Sequence, residues 1–390
     1  MPVENWIADH LDRLKAFRRD LHQNPELLYD LPRTAEQIAK ALREAGVDEV
    51  HEGIGKTGVV AVIRGQSTAS GRMIGLRSDM DALPIHEATG AEWASKVPGK
   101  MHACGHDGHV AMLLGAAIGL AQNRNFDGTA ILIFQPAEEG GAGARAMIED
   151  GLFKRFPVNE VYGMHNRPGL PLGHFTIAPG PIMGSVDMIE IEIEGVGGHA
   201  ALPHTTVDPM PVLAAVIQAA QTVTTRNMDP MDSAVVSITT VSGGDAFNVI
   251  PQTLRMTGTV RTLREEVRDL IEARLTAIIP AIATAYGATG RLNYTRHYPV
   301  TVNHAAETEI AAQIAEKVAG PDRVTRDMPA SLGGEDFSFM LNEVPGAMIN
   351  LGNGDSAGLH HPAYDFNDEA IAWGSSYWCA LLRGRLPLNA

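Results

Sequence analysis

The sequence predicts an α/β protein made of two domains, one of which is inserted into the other. Over residues 58–164, apolar runs of strand length alternate with helical patterns. Near residue 184 the pattern changes to strands in which apolar and acidic residues alternate, and this pattern ends near residue 297. We therefore assign residues 1–184 and 298–390 to one discontinuous domain and residues 185–297 to an inserted domain. A chain of 390 residues is long enough for two cores.

The first domain begins with an amphipathic helix and continues as strands and helices in alternation. Apolar residues at helical spacing predict a helix over residues 4–21. A second helix is predicted over residues 34–45, and it would end at Gly46, since glycine is common just after the last residue of a helix. The continuous apolar run 129–135 predicts a central strand. The remaining predicted elements are strands 58–63, 73–77, 161–164 and 347–351 and helices 110–122, 144–149, 308–318 and 369–382.

The inserted domain has the predicted element order β-α-β-β-α-β. Met188 to Glu194 alternates apolar and acidic residues, which is typical of a sheet with one face in water. The order over residues 186–297 is that of a split ferredoxin-like unit. The predicted elements are strand 188–194, helix 211–224, strands 234–241 and 253–261, helix 263–285 and strand 290–297.

Composition excludes several classes of partner. The formal net charge is −15 and the pI is near 5.4, which argues against a nucleic-acid surface or an anionic membrane as a partner. No apolar run approaches the ~20 residues of a membrane span, and no secretory signal is visible. With only Cys104 and Cys379, a disulfide framework is improbable. We expect a soluble, cytoplasmic protein.

Candidate metal ligands gather after several of the predicted strands. The segment 101–109 contains Cys104 and His106, and Gly105 between them allows the irregular backbone that would let both reach one metal. Glu138 and Glu139 follow the central strand directly, and His165 ends another strand. Thiolate, imidazole and carboxylate are the ligands that borderline-soft divalent metals select. The sequence therefore predicts a metal-dependent hydrolase.

Two features of this predicted site leave alternatives open. Neighbouring side chains in extended backbone point in opposite directions, so one glutamate of the pair would bind metal while the other faces the substrate water as general base. His109, three residues after His106, could join the metal or form the first turn of the next helix, and we leave it out of the ligand set. Cys104 as a nucleophile would compete with its use as a ligand.

Several other hydrolase signatures are absent from the sequence. It contains no His-Glu-x-x-His motif and no Gly-x-Ser-x-Gly motif, which argues against a helical zinc-peptidase site and against a serine nucleophile. It also contains no Gly-x-Gly-x-x-Gly after an early strand and no Walker A motif. These absences leave the metal site as the main source of chemistry.

The chain resembles the M20 metallopeptidase family, in its branch of aminoacylases, hippurate hydrolases and plant-type auxin–amino acid (IAA-amino acid) hydrolases. The resemblance covers nearly the whole chain and rests on several motifs in the same order. These motifs are Arg77–Pro84, His102–His109, Gln135–Gly141, Gly163–Asn166, Gly197–Ala200 and Leu359–Pro362. The resemblance implies a catalytic αβα domain like that of zinc peptidases, interrupted by a ferredoxin-like lid domain that commonly dimerises.

The resemblance also implies a role for each candidate site residue. It implies two divalent ions per subunit, with Zn, Mn, Co or Ni preferred over Mg because a thiolate takes part. Cys104 would bridge the two ions, and His106, Glu139, His165 and His360 would complete the ligand set. Relatives elsewhere in the family place a metal-binding histidine where this chain has Asp79.

The remaining roles that the resemblance implies lie outside the metal ligands. Glu138 would be the general base, and Asp81 would orient a ligand from behind. His199 of the inserted domain would stabilise the oxyanion, often in the active site of the neighbouring subunit. Asn248 and Arg261 would contact the substrate.

The expected reaction is hydrolysis of the amide bond of an N-acyl amino acid, such as a hippurate-like or N-acetyl compound. The expected partners are this small substrate and a second copy of the chain bound through the lid domain. The nearest alternative is a dipeptidase or carboxypeptidase with the same dinuclear centre, since a peptide is also an N-acyl amino acid. A remote alternative is a metal-holding binding protein without catalysis.

Overall fold

The computed structural model describes residues 5–388, which form two compact units. Unit 1 contains the described residues up to Gly180, then Val302–Pro329, then those from Asp336 onward. Unit 2 contains Pro181–Thr301 and the short return Ala330–Glu335. The predicted domain boundaries differ from this division by four residues at each junction, and they place 330–335 in the first domain. Residues 1–4, where the first helix was predicted to begin, and residues 389–390 lie outside the described residues.

The helices and strands have the following bounds. The α-helices are α1 (Asn5–Gln23), α2 (Pro32–Ala45), α3 (His106–Gln122), α4 (Gly143–Glu149), α5 (Leu152–Arg155), α6 (Pro209–Thr222), α7 (Glu265–Ala285), α8 (Ala305–Ala319), α9 (Phe337–Glu343) and α10 (Ala370–Arg385). The strands are β1 (Glu49–Ile54), β2 (Gly58–Arg64), β3 (Met73–Asp79), β4 (Thr129–Gln135), β5 (Glu160–Pro168), β6 (Phe175–Thr176), β7 (Gly180–Met183), β8 (Val186–Glu194), β9 (Gly198–His199), β10 (Ala234–Ser242), β11 (Val249–Ile250), β12 (Thr253–Thr262), β13 (Thr289–Tyr298), β14 (Thr301–Asn303), β15 (Val324–Thr325) and β16 (Gly346–Gly354).

Unit 1 is built on an eight-stranded mixed sheet in the order β1-β2-β4-β3-β5-β16-β6-β15. The central strands β4, β3, β5 and β16 are parallel to their neighbours in this group, so their carboxyl ends meet at one edge of the sheet. Helix α3 is buried over most of its length and packs against α1, α2 and α10. Open sheets of this kind place their sites outside the carboxyl ends of the strands.

Unit 2 is an antiparallel four-stranded sheet in the order β10-β12-β8-β13 with the helices α6 and α7 packed on it. In β8 the isoleucines 189, 191 and 193 are buried in the core, while the residues between them are half-buried or exposed. The strand order and the element order together give the ferredoxin-like fold that the sequence predicts. A separate pair of short strands, β9 and β11, lies between these elements in the chain.

Two predicted boundaries near the site were wrong. Helix α3 begins at His106 instead of residue 110, so both His106 and His109 lie in its first turn. Strand β5 continues to Pro168 instead of ending at residue 164, because it pairs in parallel with β16 as far as Pro168. His165 therefore lies inside a strand and not at its end.

Candidate metal centre

The segment from Met101 to His109 reaches the site because its backbone turns sharply at Gly105. Gly105 has a φ of 89°, in the left-handed region, and directly precedes α3. A Cβ atom at this position would lie 2.4 Å from both the Asn166 amide nitrogen and the Tyr364 hydroxyl. A glycine is therefore required here, and the turn lets Cys104 and His106 face the same place although one residue separates them.

The five side chains that were predicted to bind metal lie together in unit 1. Their potential ligand atoms form overlapping groups within 4.8 Å of one another, one with Cys104, His106 and His165 and another with Cys104, Glu139 and His360. Cys104 and His106 are buried, while the side chain of His360 is 53% exposed, so the group opens towards solvent on that side. We call these five residues the ligand cluster.

Glu138 and Glu139 both face the ligand cluster, although the sequence predicted that their side chains point in opposite directions. That prediction assumed extended backbone, but β4 ends at Gln135 and residues 138–141 form a turn. The carboxylates of both glutamates and the ring of His106 form a further group within 4.8 Å. Ala137, just before the pair, has a φ of 53°, which a non-glycine residue adopts only where its surroundings impose it.

Asp81 holds this turn in place from the end of β3. Its two carboxylate oxygens accept the backbone N–H groups of Glu138 and Glu139, at 3.0 and 3.1 Å. Its Oδ1 also lies 3.4 Å from Nδ1 of His106. Burial raises the pKa of Asp81. Asp81 therefore contacts both a member of the ligand cluster and the backbone of the two glutamates.

His165 presents one defined nitrogen to the ligand cluster. Its Nδ1 lies 2.6 Å from the carbonyl oxygen of Asn166, which can only accept a hydrogen bond, so Nδ1 carries the proton. Nε2 is left as an acceptor, 3.4 Å from the sulfur of Cys104. A neutral imidazole with one bare nitrogen is the form of histidine that binds metals.

His360 is brought to the ligand cluster by its backbone. Its N–H donates to the carbonyl of Ala103 at 2.8 Å, and its φ of 64° turns the chain at this point. Its Nε2 lies 3.1 Å from Oε1 of Glu139, and this carboxylate raises the pKa of His360. A loop distant in sequence is thereby attached to the segment that carries Cys104.

The ligand cluster has the properties of a cation site. Burial and the carboxylates of Glu139 and Glu138 raise the pKa of Cys104 well above its ordinary value. Burial alone would lower the pKa of His106, but nearby carboxylates, that of Asp79 foremost, raise it to about 10. Both ring nitrogens of His106 are buried and make only long contacts with carboxylates, Nδ1 at 3.4 Å from Asp81 and Nε2 at 3.7 Å from Asp79. These poorly satisfied nitrogens and the surplus of acidic groups fit divalent metal ions.

Asp79 and His109 lie directly behind the ligand cluster. His109 Nδ1 lies 2.6 Å from Oδ1 of Asp79, and burial lowers the pKa of His109 to about 4. Oδ2 of Asp79 accepts a hydrogen bond from Arg77 at 2.8 Å and lies 3.7 Å from Nε2 of His106. Burial alone would raise the pKa of Asp79, but His106 and Arg77 hold it well below its usual range. His109 belongs to the first turn of α3, as His106 does, and its ligand atom forms a further group within 4.8 Å with those of Asp79 and His106.

A second buried group of charges, which the sequence analysis missed, gathers around Asp107, the residue after His106. Arg18 of α1 is fully buried, and its guanidinium lies 2.7 Å from Asp107, 2.8 Å from Asp365 and 3.5 Å from Asp368. His22, one helical turn after Arg18, lies 2.8 Å from the same Asp107 oxygen. The signal was an arginine and a histidine four residues apart on the apolar face of the first helix. We call these five residues the charge cluster.

The residues predicted to act from the inserted domain lie in unit 2. Strands β9 and β11 pair His199 with Val249, and the N–H of Ala200 donates to the carbonyl of Asn248 at 3.0 Å, so His199 and Asn248 share one exposed tip. The half-buried Arg261 donates to the Thr259 hydroxyl at 3.1 Å, and burial lowers its pKa. The roles of these three residues stay predictions.

Known proteins resemble the chain along almost all of its length. The sequence profile of Peptidase family M20/M25/M40 matches residues 75–384. An N-acetylcysteine deacetylase of Bacillus subtilis is 39% identical over 95% of this chain and 96% of its own length. The hippurate hydrolase of Campylobacter jejuni is 40% identical over 97% of this chain and 98% of its own. Thermostable carboxypeptidase 2 of Saccharolobus solfataricus is 41% identical over 90% of this chain and 86% of its own length.

A solved structure is similar as well. The YXEP protein of Bacillus subtilis, described as a dinuclear metal-binding peptidase of the M20 family, superposes with a TM-score of 0.85 at 37% identity. The match covers 96% of this chain and 98% of that protein. Within residues 5–388, every helix is too short or too polar to cross a membrane.

Proposed function

The chain belongs to Peptidase family M20/M25/M40 and is a metal-dependent amidohydrolase, and we propose that its substrates are N-acyl amino acids. The observation that carries this proposal is the position of Glu138. Its buried carboxylate lies beside His106 and Glu139, on a turn whose backbone is held by Asp81. A carboxylate beside a metal site is the arrangement that hydrolysis of an amide by water requires. The similarity to a hippurate hydrolase and an N-acetylcysteine deacetylase supports this class of substrate.

The ligand cluster would hold two divalent ions, with Cys104 between them. Cys104 belongs to both overlapping groups, one with the imidazoles of His106 and His165 and one with Glu139 and His360, which supports a bridging position. The bound ions supply Lewis-acid activation of the substrate carbonyl and of the attacking water. A thiolate ligand favours Zn, Mn, Co or Ni over Mg.

Within this site the chain's own residues move the protons. Glu138 takes a proton from the water whose oxygen attacks the carbonyl carbon, and then gives a proton to the amide nitrogen as the C–N bond breaks. The products are a carboxylic acid and a free amino acid. Asp81 fixes the backbone of Glu138 by accepting its N–H, which helps to position this residue beside the ligand cluster.

Unit 2 would supply the oxyanion donor and the substrate contacts. Nδ1 of His199 accepts the N–H of Ala201 at 3.1 Å, so the neutral ring keeps its proton on Nε2, ready to donate. Arg261 is a half-buried cation suited to the carboxylate of an N-acyl amino acid, and Asn248 stands beside His199 on the same tip. Removing one oxyanion donor costs about 3–4 kcal/mol of transition-state stabilisation.

We also propose that the chain forms a homodimer through unit 2 and acts in the cytoplasm. Several large apolar side chains of unit 2 are exposed, among them Phe247 at 101% and Met231 at 90%. A dimer contact through unit 2 would remove such side chains from water. If His199 acts in the neighbouring subunit, mixing inactive His199→Ala and inactive Glu138→Gln chains restores activity. Hybrid dimers that form and stay inactive contradict this arrangement.

A carboxypeptidase is the second candidate function, since one relative with 41% identity carries that name. The two functions share the metal site and the general base, and they differ in the group on the acyl side of the bond. The distinction therefore depends on substrates and not on the metal centre.

A substrate panel tests the proposal directly. We expect the protein, supplied with Zn, Mn or Co, to hydrolyse hippurate and N-acetyl amino acids faster than dipeptides. We expect Cys104→Ala to lose bound metal, while Cys379→Ala, at a buried cysteine in α10, keeps it. Faster cleavage of dipeptides favours the carboxypeptidase, and metal binding without hydrolysis of any of these compounds indicates a metal-holding binding protein. Full metal occupancy in Cys104→Ala rejects the bridge.

A further inference from the structure

A chain of buried polar side chains runs behind the ligand cluster from β3 to β5. Asp336 accepts a hydrogen bond from Arg77 at 3.0 Å, and Arg77 donates to Oδ2 of Asp79 at 2.8 Å. Asp79 Oδ1 is 2.6 Å from Nδ1 of His109, and His109 Nε2 is 2.9 Å from the backbone nitrogen of Asn166. Each of these side chains is at most 2% exposed, so water cannot replace the contacts.

The two contacts of His109 define its tautomer. A backbone N–H can only donate, so Nε2 of His109 accepts from Asn166 and carries no proton. The proton of the neutral ring is then on Nδ1, where it is donated to Asp79. Nε2 also faces the side-chain amide of Asn166 at 3.0 Å. Both ring nitrogens of His109 therefore have hydrogen-bond partners within the chain, Asp79 at Nδ1 and Asn166 at Nε2.

Asn166 links this chain to two members of the ligand cluster. Its Oδ1 accepts from the Tyr364 hydroxyl at 2.8 Å, which leaves its Nδ2 as a donor to the carbonyl of Cys104 at 2.6 Å. Its own carbonyl accepts from Nδ1 of His165. The position of Asn166 therefore sets the backbone of Cys104 and the ring orientation of His165.

We propose that His109 is a positioning residue, neutral and protonated on Nδ1, whose tautomer is set by Asp79 and which holds Cys104 and His165 in place for metal through Asn166. This inference rests on the proposed function in one respect, namely that Cys104 and His165 bind a metal ion. The orienting partners of metal ligands commonly change metal affinity or activity by roughly 10–100-fold when they are removed.

Asp79 must be a carboxylate for this arrangement, because both of its neighbours donate to it. In Asp79→Asn, the new side-chain amide can be oriented in two ways. If its oxygen faces His109, its NH₂ group faces the N–H donors of Arg77. An amide oxygen turned towards Arg77 places the NH₂ against Nδ1 of His109, which favours the other tautomer and sets two donors against each other at Asn166. The substitution leaves the side-chain volume almost unchanged, so its effect comes from hydrogen bonding.

The experiment compares the wild-type full-length chain, Asp79→Asn and Asp127→Asn. Asp127 is also buried in unit 1. Among the described residues, its carboxylate accepts one hydrogen bond, from the backbone N–H of Ser70. The side-chain oxygen of an asparagine can accept this hydrogen bond equally well. Nitrogen NMR of labelled histidines, with and without Zn²⁺, reports the tautomer of His109. Chelator competition reports Zn²⁺ affinity, and kcat and KM are measured on an N-acyl amino acid.

We expect His109 to be protonated on Nδ1 in the wild-type chain with and without Zn²⁺. In Asp79→Asn we expect a changed His109 signal, Zn²⁺ affinity lower by about 10–100-fold and a fall in kcat with little change in KM. Asp127→Asn should match the wild type. A metal-bound or Nε2-protonated His109 in the wild type overturns the proposal, as does unchanged Zn²⁺ affinity in Asp79→Asn. The wild-type chain could bind Zn²⁺ and show the expected tautomer of His109 but hydrolyse no N-acyl amino acid. That result would reject the proposed substrate class and would still support the positioning role of His109.

Discussion

His106 and Asp107 are neighbours in the chain, yet they belong to two buried groups of opposite character. In the charge cluster, Asp107 faces Arg18 and His22, so the chain itself supplies positive charge. In the ligand cluster, Glu139 is paired with His106 and His360, and the ring nitrogens of His106 make only long contacts with the surrounding carboxylates. The carboxylate of Asp107 is compensated by cations of the chain itself, whereas the ligand cluster is arranged for a cation from outside.

This difference indicates how the protein separates stability from function along one short segment. A buried carboxylate is costly unless a cation compensates it. Arg18 meets that requirement for Asp107 permanently, whereas the carboxylates around the ligand cluster form a surplus that divalent ions would compensate. We therefore expect substitutions in the charge cluster to affect unfolding, and substitutions around the ligand cluster to affect turnover and metal binding.

The largest expected effect is on turnover at the ligand-cluster side. We expect Glu138→Gln to lower kcat by about 10²- to 10⁴-fold, because the amide cannot take a proton from water. Its metal content, measured by elemental analysis, should stay that of the wild type. Glu149→Gln, at a side chain of α4 that is 71% exposed, is the matched control and should leave kcat unchanged. Near-normal turnover in Glu138→Gln would reject the assignment of the general base.

The next effect is on stability at the charge-cluster side. We expect Arg18→Met to lower the free energy of unfolding by about 3–5 kcal/mol, because it leaves the buried Asp107 without its guanidinium partner. Urea unfolding measures this quantity. Arg13 lies on the same helix as Arg18, and Arg13→Met removes its exposed pair with Glu44 of α2, which should cost about 0–1 kcal/mol of the free energy of unfolding. Equal losses of unfolding free energy in Arg18→Met and Arg13→Met would mean that the charge cluster contributes no more to stability than an exposed ion pair.

The smallest effect is a pH dependence of stability that comes from His22 of the charge cluster. Burial by itself would lower the pKa of His22, but the Asp107 carboxylate raises it to about 9, against an ordinary value of 6.5. Glu87 also raises it, Arg18 lowers it, and the ring of His102 lies 6.2 Å from that of His22. Because the folded-state pKa is the higher one, the stabilisation is complete below pH 6.5 and is lost as the pH rises through about 9.

The corresponding measurement is urea unfolding between pH 6 and pH 9.5 with a metal chelator present throughout. Over this pH range, the free energy of unfolding of the wild type should fall by at most about 3 kcal/mol more than that of His22→Asn. The same dependence in both chains would show that another group titrates. A steeper fall in His22→Asn would reverse the sign and reject the assignment of the charge to His22.

Much of the site was predictable from sequence because its residues follow apolar strands. The continuous run of β4 pointed to Glu138 and Glu139, and the glycine between Cys104 and His106 pointed to a turn that brings both side chains to one place. The direction of the two glutamates was not predictable, because it depends on the turn at residues 138–141 and on the carboxylate of Asp81. The charge cluster was missed because Asp107, Asp365 and Asp368 look like ordinary surface residues until Arg18 is seen to be buried beside them.

The sequence by itself determined the types of most of the longer elements, the inserted ferredoxin-like unit and the candidate ligands, because apolar periodicity and residue chemistry are local properties. Only the tertiary structure decided which way each polar group faces. It joined His360 to Ala103, made β5 continue past His165 by pairing it with β16, and gave His109 its tautomer through Asp79 and Asn166. These outcomes depend on hydrogen bonds between residues that are 30 or more positions apart in the chain, and no local pattern records such bonds.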